Sequence, residues 1–410
     1  MRRSSTGIST TVAAVVLVAG FVVAGIGGYF LVGGGAGTSS TVTSTFTSGS
    51  GTASALTSSG TSSTVTSTSA VTNDTVVMEG LATAAQAECS QQRTCITIYT
   101  TQDAGNWAEY YGPQFYQQFP WAKDKVNYVS LNSADETTRL LSEYKAHGVY
   151  ADLATGTLAP LIPVYQGGAF LNYTSPETKV MNYKADDVGP AWVVEDLAVV
   201  HMIYNPTVLA ANNLPVPKNW SDLANPIYNG KLAFQSATSL SITTAEFYYL
   251  YTTMGNSSGQ WTNLMKGIAA NHPLLPATAG AAESDVLNGH AAIGIDTLDS
   301  YVTAVKGSPT ALKFVDIEPL VYTPGVVAIT AGAPHPAMAK LVEAWLISRP
   351  GQTAIYQTNN LPYQDSIGGD LLSYLPADYR LVDAYSTYSN TQLYQNTGAW
   401  SDTFQAIFGH

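Results

Sequence analysis

The chain has 410 residues, only 11% of them charged, with 29 acidic against 17 basic side chains and a formal net charge of −12. Soluble domains carry about 25% charged residues, so Ser, Thr, Asn, Gln and the 25 tyrosines must supply the exterior here. The acidic balance excludes nucleic acid as a partner, since its recognition needs a basic face. So few carboxylates also leave little to protonate in acidic surroundings.

No charged side chain occurs from residue 4 to residue 73, and the texture of that stretch changes halfway. Residues 11–33 are continuously apolar, long enough at 1.5 Å per residue to cross a hydrocarbon core of about 30 Å. Arg2 and Arg3 precede it, so residues 1–10 are expected in the cytoplasm and everything after the span outside. Residues 34–75 are a Gly step and a Ser/Thr brush with too little apolar surface to offset its ordering entropy, which predicts a disordered linker. The apolar segment is longer than a secretory h-region and lacks a small-x-small cleavage site. Thr6-Gly7-Ile8-Ser9 has the form of a prepilin-type processing site, which would leave the anchor in place. No Cys follows to support a lipid anchor.

Cys89 and Cys95 close a short loop; on an exported chain such a pair predicts a local disulfide. A two-residue metal site is the alternative, without nearby His or Asp partners. Sequons begin at Asn73, Asn172, Asn219 and Asn256 and are candidate glycan sites.

The alternation of elements comes next. Residues 94–100 read as a β-branched and aromatic strand, 107–119 as a helix broken at Pro113, and 126–131 as a second strand. Residues 134–147 read as a helix with Asp135 and Glu136 at its positive end, followed by a strand at 151–154. This spacing implies parallel pairing with right-handed crossovers. Farther on, strands are expected at 197–204, 231–235, 291–296 and 325–330, with helices at 242–254 and 336–348. Ligands of such sheets sit beyond the carboxyl ends of strands. That nominates Tyr99, Thr100 and Thr101; Thr155, Gly156 and Thr157; and Ser236, Thr238 and Ser239.

Several motifs then carry a resemblance. Pro217-Lys218-Asn219-Trp220-Ser221-Asp222-Leu223 with Pro226-Ile227-Tyr228-Asn229-Gly230-Lys231 leads into a strand. Gly289-His290-Ala291-Ala292-Ile293-Gly294 approaches another. Gly332-Ala333-Pro334-His335-Pro336, Trp345-Leu346 and Ser348 with Gly351-Gln352 mark a late helix. In order and spacing the chain resembles the extracellular solute-binding proteins of ABC importers, the two-lobed type II class that includes ferric-iron, polyamine and phosphonate binders. The resemblance implies an α/β fold with a ligand cleft between lobes, no cofactor, and an ABC permease with its ATPase as partners. It places lobe 1 at 94–195, completed by 324–360, and lobe 2 at 196–323, with 361–410.

Ferric-iron binders of the class generally use adjacent tyrosines after the last pocket strand. Here that stretch offers Tyr301 alone, after Asp299-Ser300, which argues against iron. Hydroxyls at strand ends, with Ser236 to Ser239 ahead of a helix, favour a small oxyanion or another small polar solute. Against that, Glu195, Asp296 and Asp299 are placed to bind an amine, and Trp192 and Tyr322 to stack on a sugar. The alternative functions are a surface sensor or envelope protein retaining the binding fold, and a ferric-iron binder.

No catalytic constellation is found. Gly255-Asn256-Ser257-Ser258-Gly259 has the letters of a nucleophile elbow but follows a helix rather than a strand. The histidines at 147, 201, 272, 290, 335 and 410 are scattered, without zinc-ligand spacing.

Overall fold

The computed structural model describes residues 73–236, 241–254, 259–317, 319–364, 367, 369–376, 379–384, 399–400 and 402–409. The expected anchor, nearly all of the expected linker, Thr238, Ser239 and Asn256 lie outside the described residues. Among the described residues no helix is long and apolar enough to cross a membrane.

The strands are β1 (Ile96–Thr100), β2 (Val126–Ser130), β3 (Leu153–Thr157), β4 (Val193–Tyr204), β5 (Leu232–Ala233), β6 (Ile293–Thr297), β7 (Lys313–Phe314), β8 (Leu320–Ile329), β9 (Leu361–Pro362) and β10 (Leu381–Asp383). The helices are α1 (Asn73–Glu88), α2 (Gly112–Gln118), α3 (Ser133–Lys145), α4 (Leu158–Gln166), α5 (Glu177–Val180), α6 (Pro206–Ala211), α7 (Ile242–Met254), α8 (Gln260–Ala270), α9 (Ala279–Leu287), α10 (Leu298–Gly307), α11 (Pro336–Ile347) and α12 (Arg349–Gln357). A wide helical turn at Trp107–Tyr111 feeds α2, with Pro113 at the start of the latter.

All strands join one 10-stranded sheet whose main path runs β2-β1-β3-β8-β4-β6-β5. The expected parallel pairing holds for β1 with β2 and β3, and for β5 with β6. In between, β4 and β8 run antiparallel and change neighbours along their length. The late part of β8 pairs β3, while its early part pairs β10. The late part of β4 pairs β6. These two strands, of 12 and 10 residues, are therefore shared by both halves of the sheet.

Both begin earlier than the sequence suggested, β4 at Val193 ahead of the expected 197 and β8 at Leu320 ahead of the expected 325, so Glu195-Asp196 and Pro324 fall inside strands. The structure absorbs them in a β-bulge: the register shifts between Val194 and Asp196, and Asp196 faces Gly325. A bulge cancels the strict alternation of strand side chains. A Cβ on Gly325 would overlap the Asp196 carboxylate, so a larger residue there would displace that carboxylate.

Two aromatic clusters anchor the halves. In the first, Trp345 of α11 is fully buried and packs edge-on against Phe115, centroids 5.2 Å apart, with Trp107 5.7 Å from Phe115. In the second, Phe234 and Phe247 meet Phe404 and Phe408 of the chain's last helical segment, and Phe247 stacks on Phe408 at 5.7 Å. Helix α1, absent from the sequence reading, covers α11. Its Glu88 carboxylate accepts the Met338 and Ala337 N–H groups (2.9 and 3.2 Å), where the helix end favours negative charge. Cys89 and Cys95 form the expected disulfide, which ties the end of α1 to the approach of β1.

Replacing Trp345 by Ala removes the centre of the first cluster. Urea unfolding should show a loss of about 3–5 kcal/mol with an unchanged m-value.

Candidate functional site

A cleft of about 870 Å³ opens beside the paired strands β4 and β8, lined from both halves of the sheet. The first half contributes Thr101, Gln102, Asp103, Glu109, Gly156 and Thr157; the second contributes Gln235, Glu283, Thr297, Asp299 and Ser300. Glu195, Asp196 and Gly325 form the wall between them. Because of the bulge, two consecutive residues of one strand face the same cleft.

A buried frame holds that pair. Gln102 donates Nε2–H to Asp196 Oδ2 at 3.2 Å, while its Oε1 accepts the Tyr111 and Tyr128 hydroxyls at 2.6 and 3.2 Å. With the carbonyl oxygen so occupied, the amide nitrogen must face the carboxylate. Behind Glu195, Gln352 Nε2 donates to its backbone carbonyl at 2.8 Å and to Leu346 O at 3.1 Å. Gly351 lets that turn close, since a Cβ there would overlap the Trp345 carbonyl. The Ser348…Gly351-Gln352 motif thus fixes the backbone of a cleft residue. Sequence reasoning used the motif only as a family mark.

The lining is acidic. Asp103, Glu109, Glu195, Asp196, Glu283 and Asp299 face it, and no Lys, Arg or His is among the described lining residues. Glu195 is 2% exposed, and its carboxylate has no hydrogen bond or ion pair among the described residues. Burial, then neighbouring Asp196 and Glu136, push it well above the ordinary carboxylate range. Burial and Asp299 raise Asp196 to about 7, opposed by the Gln102 bond. Burial and Asp299 likewise raise Glu283 to about 7. Asp299 is raised by burial, partly offset by the Thr297 hydroxyl and backbone N–H groups. Beneath the cleft Glu136 is fully buried, and neither carboxylate oxygen has a partner among the described residues. A Cβ on Gly156 would stand 3.0 Å from Thr101 Oγ1 and 3.2 Å from Glu136 Oε2, so glycine closes the floor over this acid.

Of the ligand residues nominated from sequence, Thr101, Gly156, Thr157, Glu195 and Asp299 line the cleft. The other described ones do not. Tyr99 is buried in β1 and donates its hydroxyl to Glu143 at 2.6 Å. Thr155 bonds Thr100 at 2.8 Å, so these two hydroxyls satisfy each other inside the sheet. The reason is that β3 runs on to Thr157, which leaves Thr155 two residues inside the strand instead of at its end. Trp192 is buried edge-on against Tyr165, and Tyr322 belongs to an apolar cluster behind β8. Ser236 donates its N–H to the Pro276 carbonyl, away from the lining. Tyr301 falls one turn into α10 and packs on Phe314 and His201 at 4.0 and 5.5 Å. Asp296 is fully buried behind the wall rather than facing it, raised by burial and by Glu283. Asn172 and Asn219 are exposed, and Asn219 Oδ1 also accepts the Asp222 N–H at 3.1 Å.

Among the described residues, the group of metal-ligand atoms that converges is Glu88 with Cys89 and Cys95, and the disulfide occupies both sulfurs. The cleft carboxylates are not gathered around one point.

Solved structures share the fold. Iron-bound HitA from Pseudomonas aeruginosa matches with a TM-score of 0.59 at 17% identity, over 76% of this chain and 99% of its own. AfuA from Actinobacillus pleuropneumoniae, with fructose-6-phosphate bound, gives 0.61 at 17% identity over 78% and 97%. A periplasmic thiamin-binding protein gives 0.62 at 16% identity over 77% and 96%. A search of curated proteins finds no match. The profile of the bacterial extracellular solute-binding protein family matches residues 163–373, slightly more than half of the chain, from the middle of α4 past β9. The chain belongs to the bacterial extracellular solute-binding proteins.

Proposed function

We propose that the chain is the membrane-tethered receptor of an ABC importer, capturing a small polar solute outside the cell and handing it to a permease driven by its ATPase. The observation that carries this reading is the cleft itself. It opens beside the two shared, paired strands, is lined from both halves, and buries in its wall a carboxylate without a partner among the described residues. Burying a charge without a partner is costly, and a bound solute supplies the missing contacts. On this reading lobe 1 comprises 94–195 with 324–360, and lobe 2 comprises 196–323 with 361–410. Closure of the lobes around the solute draws its affinity from contacts made only in the closed form. The family binds solutes rather than converting them.

The tether is read from sequence: an apolar segment at 11–33, Arg2 and Arg3 before it, and the Ser/Thr-rich stem at 34–75, whose last residues, Asn73 onward, enter α1. Such a stem keeps the receptor near its permease and raises the effective concentration. Exported Asn172 and Asn219 are open to glycan addition. Iron is disfavoured because Tyr110 is the one tyrosine among the described lining residues.

In a thermal-shift screen of the purified full-length chain, a cognate solute at 100 times its dissociation constant should add about 2.7 kcal/mol. Glu195→Gln should abolish that shift; silence across all solute classes would sink the reading. Protease treatment of intact cells should release the folded domain while an N-terminal tag on residues 1–10 stays protected, and release of both would refute the tether. The raised cleft acids also set a pH dependence. Asp196 and Glu283, raised to about 7, hold protons in the native state that the unfolded chain loses near its ordinary carboxylate pKa of about 4. Their contribution to stability therefore falls as pH rises from about 4 to about 7. The solute-free chain should melt higher at pH 5 than at pH 8, and Asp196→Asn should flatten the difference.

A further inference from the structure

We infer that the solute is a small aliphatic cation carrying N–H donors, an amine or guanidine compound, held between Glu195 and Asp196 of β4 and Glu283 and Asp299 of the second half. This rests on the reading of the cleft as a solute site and narrows its chemistry.

Charge comes first. The described lining carries six carboxylates and no cationic side chain. Lys306 bonds the lining residue Asn359 at 2.6 Å but does not itself line the cleft. An oxyanion placed here would meet like charge from both halves, whereas a cation would meet its complement. Glu195 decides that the acids are more than solvated surface. It is nearly fully buried, faces the cleft, and has no partner among the described residues.

Geometry then separates organic cations from metal ions. A metal needs several ligand atoms converging on one point, and the cleft carboxylates do not converge in that way. They are spread over the segment after β1 (Asp103, Glu109), β4, α9 and α10 around a space of about 870 Å³. That arrangement suits protonated nitrogens spaced along a chain. Quaternary ammonium groups are recognised by aromatic cages; Tyr110 is the one aromatic ring among the described lining residues, so a cage is lacking. Carboxylates favour cations with N–H to donate, through charge-assisted hydrogen bonds.

Proton release should accompany binding. Asp196 is faced by Glu195 on its own strand, by Asp299 of α10 and by the Gln102 amide. Glu195 is faced by Asp196 and by Glu136 of α3, with Tyr128 nearby, and Glu283 of α9 by Asp299 and Asp296. No cation enters this set. Groups holding protons in the empty cleft give them up when a cation docks beside them.

The test is isothermal titration of the full-length chain with putrescine, spermidine and arginine, beside choline, phosphate, fructose-6-phosphate, ferric citrate and magnesium. At least one N–H cation should bind, with heats that vary with buffer ionisation enthalpy at pH 7 and affinity falling at least tenfold from pH 8 to pH 5.5. Glu195→Gln and Asp196→Asn should each weaken binding at least tenfold. Glu195→Gln should keep its circular dichroism and melt no lower than the parent, separating a lost contact from lost structure. Binding of choline, a metal or an anion in place of the N–H cations would overturn the cation assignment and leave the receptor reading standing. Cation binding unchanged in both variants would overturn the assigned site. A folded chain that binds nothing in any class would overturn both.

Discussion

The pairing of β4 with β8 is the constraint on which the rest depends. Both strands must serve two halves of one sheet, and the ladder can do so only if it bends where it passes between them. The bulge at Val194 and Asp196 supplies the bend. By breaking the alternation it also turns both Glu195 and Asp196 toward the same space. Gly325 is the consequence on the partner strand, where any larger residue would strike Asp196. The Gln352 amide behind Glu195 and the Gln102 amide against Asp196 then remove the freedom that a bulge leaves. Architecture and site are one feature seen at two scales.

Sequence made the βαβ half legible because its signals are local. The β-branched run of β1 is one such signal. The start of α3 is another, where Asn132 Oδ1 accepts the Asp135 N–H at 2.9 Å and the acids occupy the first turn. Helix α4 was hidden by Pro160 and Pro163, yet the latter lies inside it. Helix α1 was hidden by small residues that give little periodic contrast, and it owes its place to α11. The beginnings of β4 and β8 were hidden because their polar and Gly-Pro residues look like breaks until the bulge pairs them.

The site was legible as a location and, through Glu195 and Asp299, in part of its acidic lining. Strand ends did point to the cleft, through Thr101, Gly156 and Thr157. Counting hydroxyls at those ends ignored which way each side chain turns. Thr100 and Thr155 face each other within the sheet, while α10 begins at Leu298 and carries Tyr301 away. The carboxylates that dominate the lining come from the segment after β1, β4, α9 and α10, scattered in sequence and brought together only by the fold. A chain with 11% charged residues spends six of its 29 acids on one concavity. Against so neutral a surface, that concavity is where the field is focused.

The same acids bear on how such a cleft would close. Asp196 stands on the shared strand and Asp299 on α10 of the second half, and Asp299 helps raise Asp196. While both are ionised, like charges facing each other disfavour bringing the walls together. Protonation relieves the repulsion, and so does a cation between them, but only the cation adds attraction to both sides. With the proposed solute, the charge that is recognised is therefore also the charge that permits closure. A neutral molecule of the same shape would leave the repulsion in place. Selectivity would then arise from the unfavourable energy of the empty, closed cleft as much as from contacts with the solute, which is how a receptor with few aromatic walls can still discriminate.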